Sequence, residues 1–267
     1  MLGDTFHIIE TEGVIHLRFD RAAKYNAIDL AMWEALHSVT AALRDRNDLR
    51  ALLITSTGKY FSSGIDLNSP LAPDPAITSP TEFRRWYRQG LGSLHMLGDE
   101  WEAIEKPVVV GFQGPCLGGA LELSLCADFR LATDGARFGL PEIALGGIPG
   151  SGGTSRLVRL VGPHWARWLI LAKRQIDASQ GLSIGLVHEV LPAEGFEESC
   201  LAFCRELATL PREAFAAGKL AIELAQDLGR AQGRNVERLA VSGLVQGTEY
   251  SKMMTAMQER LSSKKST

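Results

Sequence analysis

The chain has 267 residues, of which 45% are hydrophobic and 22% charged, with a formal net charge of -3. Such values describe a globular protein with a sizeable core, organised as one large domain or as one domain with an appendage. Lys and Arg are scattered, which leaves no basic stripe for nucleic acid, and no apolar run approaches the ~20 residues of a membrane span.

The opening MLGDTFHIIETEG lacks the basic, apolar and small-residue regions of a leader, so a cytoplasmic protein without a cleaved address is expected. Residues 6–19 alternate in strand fashion, and ALLITS at 51–56 reads as a more buried strand. Between them a helix starts near Asp29, a good N-cap, with Trp33, Leu36, Val39 and Leu43 on one face. The stretch 67–82 holds four prolines and reads as a long surface loop of the kind that covers binding sites. Residues 83–104 read as helical, KPVVVGFQG as a strand ending in glycine, ALELSLCAD as a helix and FRLAT as a strand. GTSRLVRLVGPHWARWLILA suggests two helices broken at Gly162 and Pro163, and GLVHEVLP a last short strand. Residues 195–264 then form about four helices with no strand between them. An α/β core over 1–192 followed by a helical region over 193–267 is the expected organisation. The short tail SSKKST is expected to fray.

Several motifs fail on inspection. Cys116, Cys126, Cys200 and Cys204 form no C-x-x-C pair and no zinc pattern, so they read as small buried hydrophobes in a reducing compartment, and no metal is expected. GIPGSGGTS at 147–155 is glycine-rich before a helix but lacks the ending of a P-loop and the G-x-G-x-x-G spacing, so a tight turn capping a helix is expected. GLSIG at 181–185 matches the nucleophile-elbow pattern around Ser183. Its setting lacks the preceding buried strand, and the last histidine, His188, lies only five residues on.

One constellation survives. A strand ending at Gly114 is followed by Gly118 and Gly119 opening a helix, where backbone N–H groups lack intrahelical partners and the dipole favours negative charge. Glu122 lies three residues on, close enough to share that pocket. FSSGIDL at 61–67 follows the buried strand ALLITS, at a carboxyl end where α/β sheets bind ligands, and the N–H of Ile65 is a candidate second donor of an oxyanion hole. Glu142 stands behind Pro141 in FGLPEIALGG.

FSSGIDL, GPCLGGALELSLCADFRLAT and FGLPEIALGGIPGSGGTSRL together resemble the signature segments of the enoyl-CoA hydratase/isomerase, or crotonase, superfamily. RAAKYNAID and ASQGLSIGLVHEVLP extend the likeness over roughly residues 10–192 in order. The resemblance implies a crotonase-like α/β spiral of strand-strand-helix repeats with a C-terminal helical trimerisation unit, assembled as a homotrimer or a dimer of trimers. It implies an acyl-CoA thioester substrate and no separate cofactor, coenzyme A being part of the substrate. The oxyanion hole maps onto the N–H groups of Ile65 and Gly119, and the two catalytic glutamates onto Glu122 and Glu142. Lys24, Tyr25, Ser63, Asp66 and Leu67 map onto the segments that hold adenine and pantetheine, with Gly118 and Pro141 as the remaining substrate contacts.

The implied chemistry is addition of water to a 2-enoyl-CoA, with double-bond isomerisation on the same fold as the alternative and a catalytically idle scaffold as a remote one; a serine hydrolase, resting on GLSIG alone, is the weakest. Isoleucine in SGIDL and the long stretch from Asp66 to Lys106 resemble the dienoyl-CoA isomerases instead. Those enzymes carry a third acid where this chain has Gly150, which favours hydration. The last helix lacks the EKR-x-P-x-F ending of many members.

Overall fold

The computed structural model describes residues 5–68, 77–89 and 94–263. Strands β1 (Phe6–Thr11) and β2 (Val14–Phe19) form a hairpin. Its two turn residues, Glu12 and Gly13, have φ of 49° and 80°, the backbone that matches the twist of the strands they join. Helix α1 (Leu30–Asp45) begins where the Asp29 carboxylate accepts from the Met32 N–H at 3.0 Å. It buries Met32, Trp33, Leu36, Val39 and Leu43 along one stripe, the pattern of an amphipathic helix lying on a sheet. After β3 (Ala51–Ser56) come α2 (Pro80–Gln89) and α3 (Leu94–Ala103), where the sequence suggested one continuous helix. Residues 69–76 of the loop expected over 67–82, and the tail from residue 264, fall outside the described residues.

The remaining core elements are β4 (Val108–Phe112), β5 (Cys116–Leu117), α4 (Gly119–Ser124), β6 (Phe129–Ala132), β7 (Arg137–Gly139), α5 (Gly153–Ile170), β8 (Ile176–Asp177), α6 (Ala178–Ser183), β9 (Glu189–Val190) and α7 (Phe196–Thr209). A six-stranded sheet runs β1-β2-β3-β4-β6-β9, parallel from β2 onward, and a smaller sheet runs β5-β7-β8. Isolated parallel bridges join Ile28 to Ile65 and Ser62 to Cys116. Each turn of chain therefore gives one strand to the large sheet, one short extended segment to the small sheet, and then a helix. This is the expected strand-strand-helix repeat. The short strands β5, β7 and β8 escape sequence reading because two or three residues carry no period.

Four buried phenylalanine rings lie in a row. Phe19 is 6.0 Å from Phe61, Phe61 is 4.9 Å from Phe112, and Phe112 is 5.1 Å from Phe138, the last two pairs edge to face, which is the favoured aromatic geometry. Helix α5 is broken where expected, with Gly162 at φ 77° and ψ 164° ahead of Pro163.

The chain divides into two units, one drawn from 1–102 and 107–208, the other from 103–106 and 209–267. Helix α7 belongs to the first unit, whereas a division at 192 would place it with the tail. The reason is its apolar stripe: Phe196, Cys200, Cys204 and Leu207 pack with Val14, Ala51, Leu53, Val109 and Leu131 of the large sheet. The second unit holds α8 (Arg212–Asp227), α9 (Arg230–Leu244) and α10 (Thr248–Ser263). There the Glu249 carboxylate accepts from the N–H groups of Arg212 and Glu213, at 3.0 and 3.1 Å, and so caps α8.

Candidate active site

The segments 62–65 and 115–119 lie side by side because Ser62 and Cys116 bridge them. The Ser62 N–H donates to Pro115 O and the Leu117 N–H to Ser62 O, at 3.2 and 3.0 Å. On the other side of the first segment, the Ile28 N–H donates to Gly64 O and the Asp66 N–H to Ile28 O. A parallel bridge of this kind turns the N–H of Ile65 away from Ile28. Gly64 sits at φ 102°, and a Cβ there would lie 3.0 Å from Leu117 O and 3.4 Å from the Gly119 nitrogen. Glycine is needed at 64 both for its backbone and for this close approach. Gly119 is the first residue of α4. Among the described residues, neither the Ile65 nor the Gly119 N–H donates to a protein acceptor. Two unpartnered donors from two chain segments are thus brought together.

Gly118 precedes them with φ 56° and ψ -139°, outside the regions open to other residues. A Cβ on Gly118 would stand 3.2 Å from Glu142 Oε1. Glu142 therefore reaches the residue next to the hole. It opens a short 3-10 turn, 142–145, with Pro141 in the capping position. Its Oε2 is buried and without a hydrogen-bond partner among the described residues, and burial raises its carboxyl above the ordinary value.

Glu122 is 4% exposed. Its Oε2 accepts from the N–H groups of Ser151 and Gly153, at 2.7 and 3.0 Å, where Gly152 at φ 94° caps α5. The glycine-rich run 147–155 is thus the expected turn capping a helix, and its N–H groups in addition hold the protein's own Glu122 carboxylate. Burial pushes Glu122 up to about 7; the N–H groups of Gly153 and Ser151 pull it back, and the charge of Glu142 adds to the rise. The two carboxyls form an interacting pair beside two free N–H donors. Such a set can stabilise a developing oxyanion and move protons on either side of it.

The remaining expected residues divide into exposed and bound. Lys24 is exposed, and Tyr25 is 56% exposed and packs on Tyr60 with ring centroids 4.9 Å apart. Leu67 is 75% exposed, and Ser63, partly buried, donates its N–H to Tyr25 O at 3.0 Å. Asp66 is engaged internally: Oδ2 accepts from Arg21 Nη1 at 2.7 Å and Oδ1 from the Asn68 N–H at 2.9 Å. The Asn68 N–H first and Arg21 second hold its carboxyl below the ordinary value. Its visible work is to pin the turn after the hole. Ser183 ends α6, is exposed, and donates Oγ–H to Gln180 O at 2.8 Å. No nucleophile elbow exists there.

Sequence reasoning missed Ser151 and Gly153 as partners of Glu122. It also missed His95, whose Nε2–H donates to the Gly150 carbonyl beside them. Among the described residues, no three or more His, Cys, Asp or Glu side chains are grouped to hold a metal, and no helix is long and apolar enough to cross a membrane.

Comparison with known proteins gives a consistent result. A family model described as enoyl-CoA hydratase/isomerase matches residues 10–265. The enoyl-CoA isomerase/hydratase fer4 of Mycosarcoma maydis is 31% identical over 94% of this chain and 92% of its own length. The 2,3-dehydroadipyl-CoA hydratase of Escherichia coli is 33% identical over 84% of each chain. Among solved structures, an enoyl-CoA hydratase from Bacillus anthracis is similar with a TM-score of 0.85 and 28% identity, over 96% of this chain and 97% of that one.

Proposed function

The chain belongs to the enoyl-CoA hydratase/isomerase family, and from that premise we propose that it is a hydratase, adding water to a 2-enoyl-CoA to give a 3-hydroxyacyl-CoA. The observation that carries this reading is the pair of glutamates beside the free N–H groups of Ile65 and Gly119. Glu122 is held through Oε2 by two N–H groups, which leaves Oε1 to take a proton. Glu142 has a buried oxygen without a partner among the described residues, an arrangement eased when the carboxyl is protonated.

In this reading the thioester oxygen accepts from Ile65 and Gly119. As water oxygen bonds to the β-carbon, its proton passes to Glu122 and the enone electrons move onto the thioester oxygen. Glu142 then delivers its proton to the α-carbon and the carbonyl re-forms. The net change is H on the α-carbon and OH on the β-carbon. Return of the proton from Glu122 to Glu142 through solvent resets the pair. Losing one donor of such a hole typically costs ~10²-fold or more in rate. Neither a metal nor a redox cofactor has a part.

Lys24, Tyr25, Ser63 and Leu67 are the proposed contacts to the coenzyme A portion, with Gly118 and Pro141 beside the acyl group. Asp66 is assigned to the same segment through its hold on Arg21. The helices of the second unit expose Ile222, Leu239, Met253 and Met257 at 50% or more, an apolar surface that supports assembly into homotrimers or pairs of trimers. The four buried, free cysteines are in keeping with a cytoplasmic setting.

The second reading is isomerisation, with Glu142 carrying one proton between the α- and γ-carbons. The bulky Ile65 beside Gly119, where a Cβ on the glycine would meet Ile65 Cγ1 at 3.0 Å, favours it. An idle scaffold would gain nothing from burying two carboxyls. Incubation with crotonyl-CoA, followed by loss of the enoyl-thioester absorbance, decides between the two: migration of a 3-enoyl bond without any hydration overturns the first reading.

A further inference from the structure

Gly150 immediately precedes Ser151, whose N–H holds Glu122. The space a side chain on Gly150 would take is already filled from another element. A Cβ there would lie 2.6 Å from the hydroxyl oxygen of Tyr87 and 3.7 Å from its Cζ. Tyr87 is on α2 and partly buried. Phe83, one turn earlier, stacks on its ring at 6.2 Å with an interplanar angle of 19° and holds its direction. Among the described residues nothing hydrogen-bonds to the Tyr87 hydroxyl.

The neighbouring groups are arranged differently. A Cβ on Gly119 would meet Leu94 Cδ1 and Ile65 Cγ1, each at 3.0 Å, so the surroundings of the oxyanion hole are aliphatic. Leu94 and His95 are consecutive at the start of α3, and His95 spends its Nε2–H on the Gly150 carbonyl. The start of α3 thus spans from the hole to the Glu122 cradle, aliphatic at one end and polar at the other. At the polar end Tyr87 has a hydroxyl still to be satisfied.

Resting on the hydratase reading for which bond reacts, we propose that Tyr87 reads the acyl group: its hydroxyl, beside Gly150 and unpartnered among the described residues, hydrogen-bonds an uncharged oxygen function carried on the acyl chain just beyond the β-carbon. The substrate class is then a 2-enoyl-CoA bearing a hydroxyl or carbonyl there, in preference to a plain alkyl 2-enoyl-CoA. The physical reason is asymmetric. An alkyl chain seated against the phenol displaces water and returns no hydrogen bond, whereas an oxygenated chain replaces the water it removes.

The test uses the full chain, crotonyl-CoA and γ-hydroxycrotonyl-CoA, and reads the ratio of their kcat/KM values. In parallel, calorimetry reads the ratio of Kd values for butyryl-CoA and γ-hydroxybutyryl-CoA, which undergo neither hydration nor isomerisation. The wild type should favour the oxygenated member in both measurements by roughly tenfold, and Tyr87→Phe should bring both ratios to near one. Gly150→Ala, which keeps the hydroxyl but pushes it aside, should lower the ratios in the same direction. Wild-type ratios near one, or ratios unchanged in Tyr87→Phe, overturn the proposal. If crotonyl-CoA is not hydrated at all, the hydratase reading falls while the Kd ratio still decides the role of Tyr87.

Discussion

Glu122 and Glu142 are the same side chain in two unlike settings. Glu122 stands on α4, almost wholly buried, with one oxygen fixed by two N–H groups at the start of α5. Glu142 stands on a 3-10 turn whose other residues, 143–145, are all exposed, and its buried oxygen has no partner among the described residues. The difference separates two surroundings that each raise a buried carboxyl. One is held in place by donors that favour its charge; the other keeps an oxygen without a partner among the described residues, which a proton would ease. In the proposed reaction the first would be the base and the second the acid.

The largest test of this contrast is Glu142→Gln. Its buried oxygen has no partner to lose among the described residues and burial already disfavours its charge, so the change should not lower the thermal midpoint while it lowers kcat by about a thousandfold. A midpoint that falls along with the rate would mean that Glu142 is structural. Glu122→Gln should change stability in a way that follows pH. The Glu122 carboxyl titrates higher folded, at about 7, than its ordinary value of 4.5, so its contribution is fully present below 4.5 and is lost as pH rises through 7. The amide has no such loss. Denaturant titration should find Glu122→Gln more stable than the wild type by on the order of 3 kcal/mol at pH 8, with the gap closing toward pH 4.5, while turnover falls ~10²-fold or more.

A milder test is the pH profile. Glu122 must be ionised to act as the base and Glu142 protonated to act as the acid, so kcat/KM should climb as Glu122 ionises near 7 and fall again as Glu142 loses its proton; a flat profile from pH 5 to 8 would assign the proton work elsewhere. The smallest effect is expected outside the pair. Lys24→Ala should raise KM a few-fold, roughly the contribution of one exposed charge, with kcat unchanged.

Much of this was legible in the chain because it depends on local signals. Gly118 and Gly119 before a helix, Gly64 before Ile65, and the Asp29 cap each announce a backbone geometry within a few residues. The strands β5, β7 and β8 did not, being too short for any period. The cradle of Glu122 was half legible: the glycine-rich run announced a turn capping a helix, but the carboxylate it holds lies 29 residues away in sequence, and only the fold brings it there. The hold of Arg21 on Asp66, across 45 positions, was equally out of reach of local reading. The same long-range logic hid Tyr87, which fills a space belonging to a residue on another element. Helix α7 has the sequence character of its successors and differs in what its apolar stripe meets, which no local pattern shows.

The row of four phenylalanines has a further consequence. Each ring sits a few positions ahead of one part of the proposed site: Phe19 before Lys24 and Tyr25, Phe61 before Ile65, Phe112 before Gly119, and Phe138 before Glu142. Four segments distant along the chain are thereby set out along a single ruler whose divisions are ring contacts of 4.9 to 6.0 Å. Shortening one ring would shift the spacing between functional groups while leaving every one of them present, so errors of alignment in this enzyme can arise from residues that never meet the substrate.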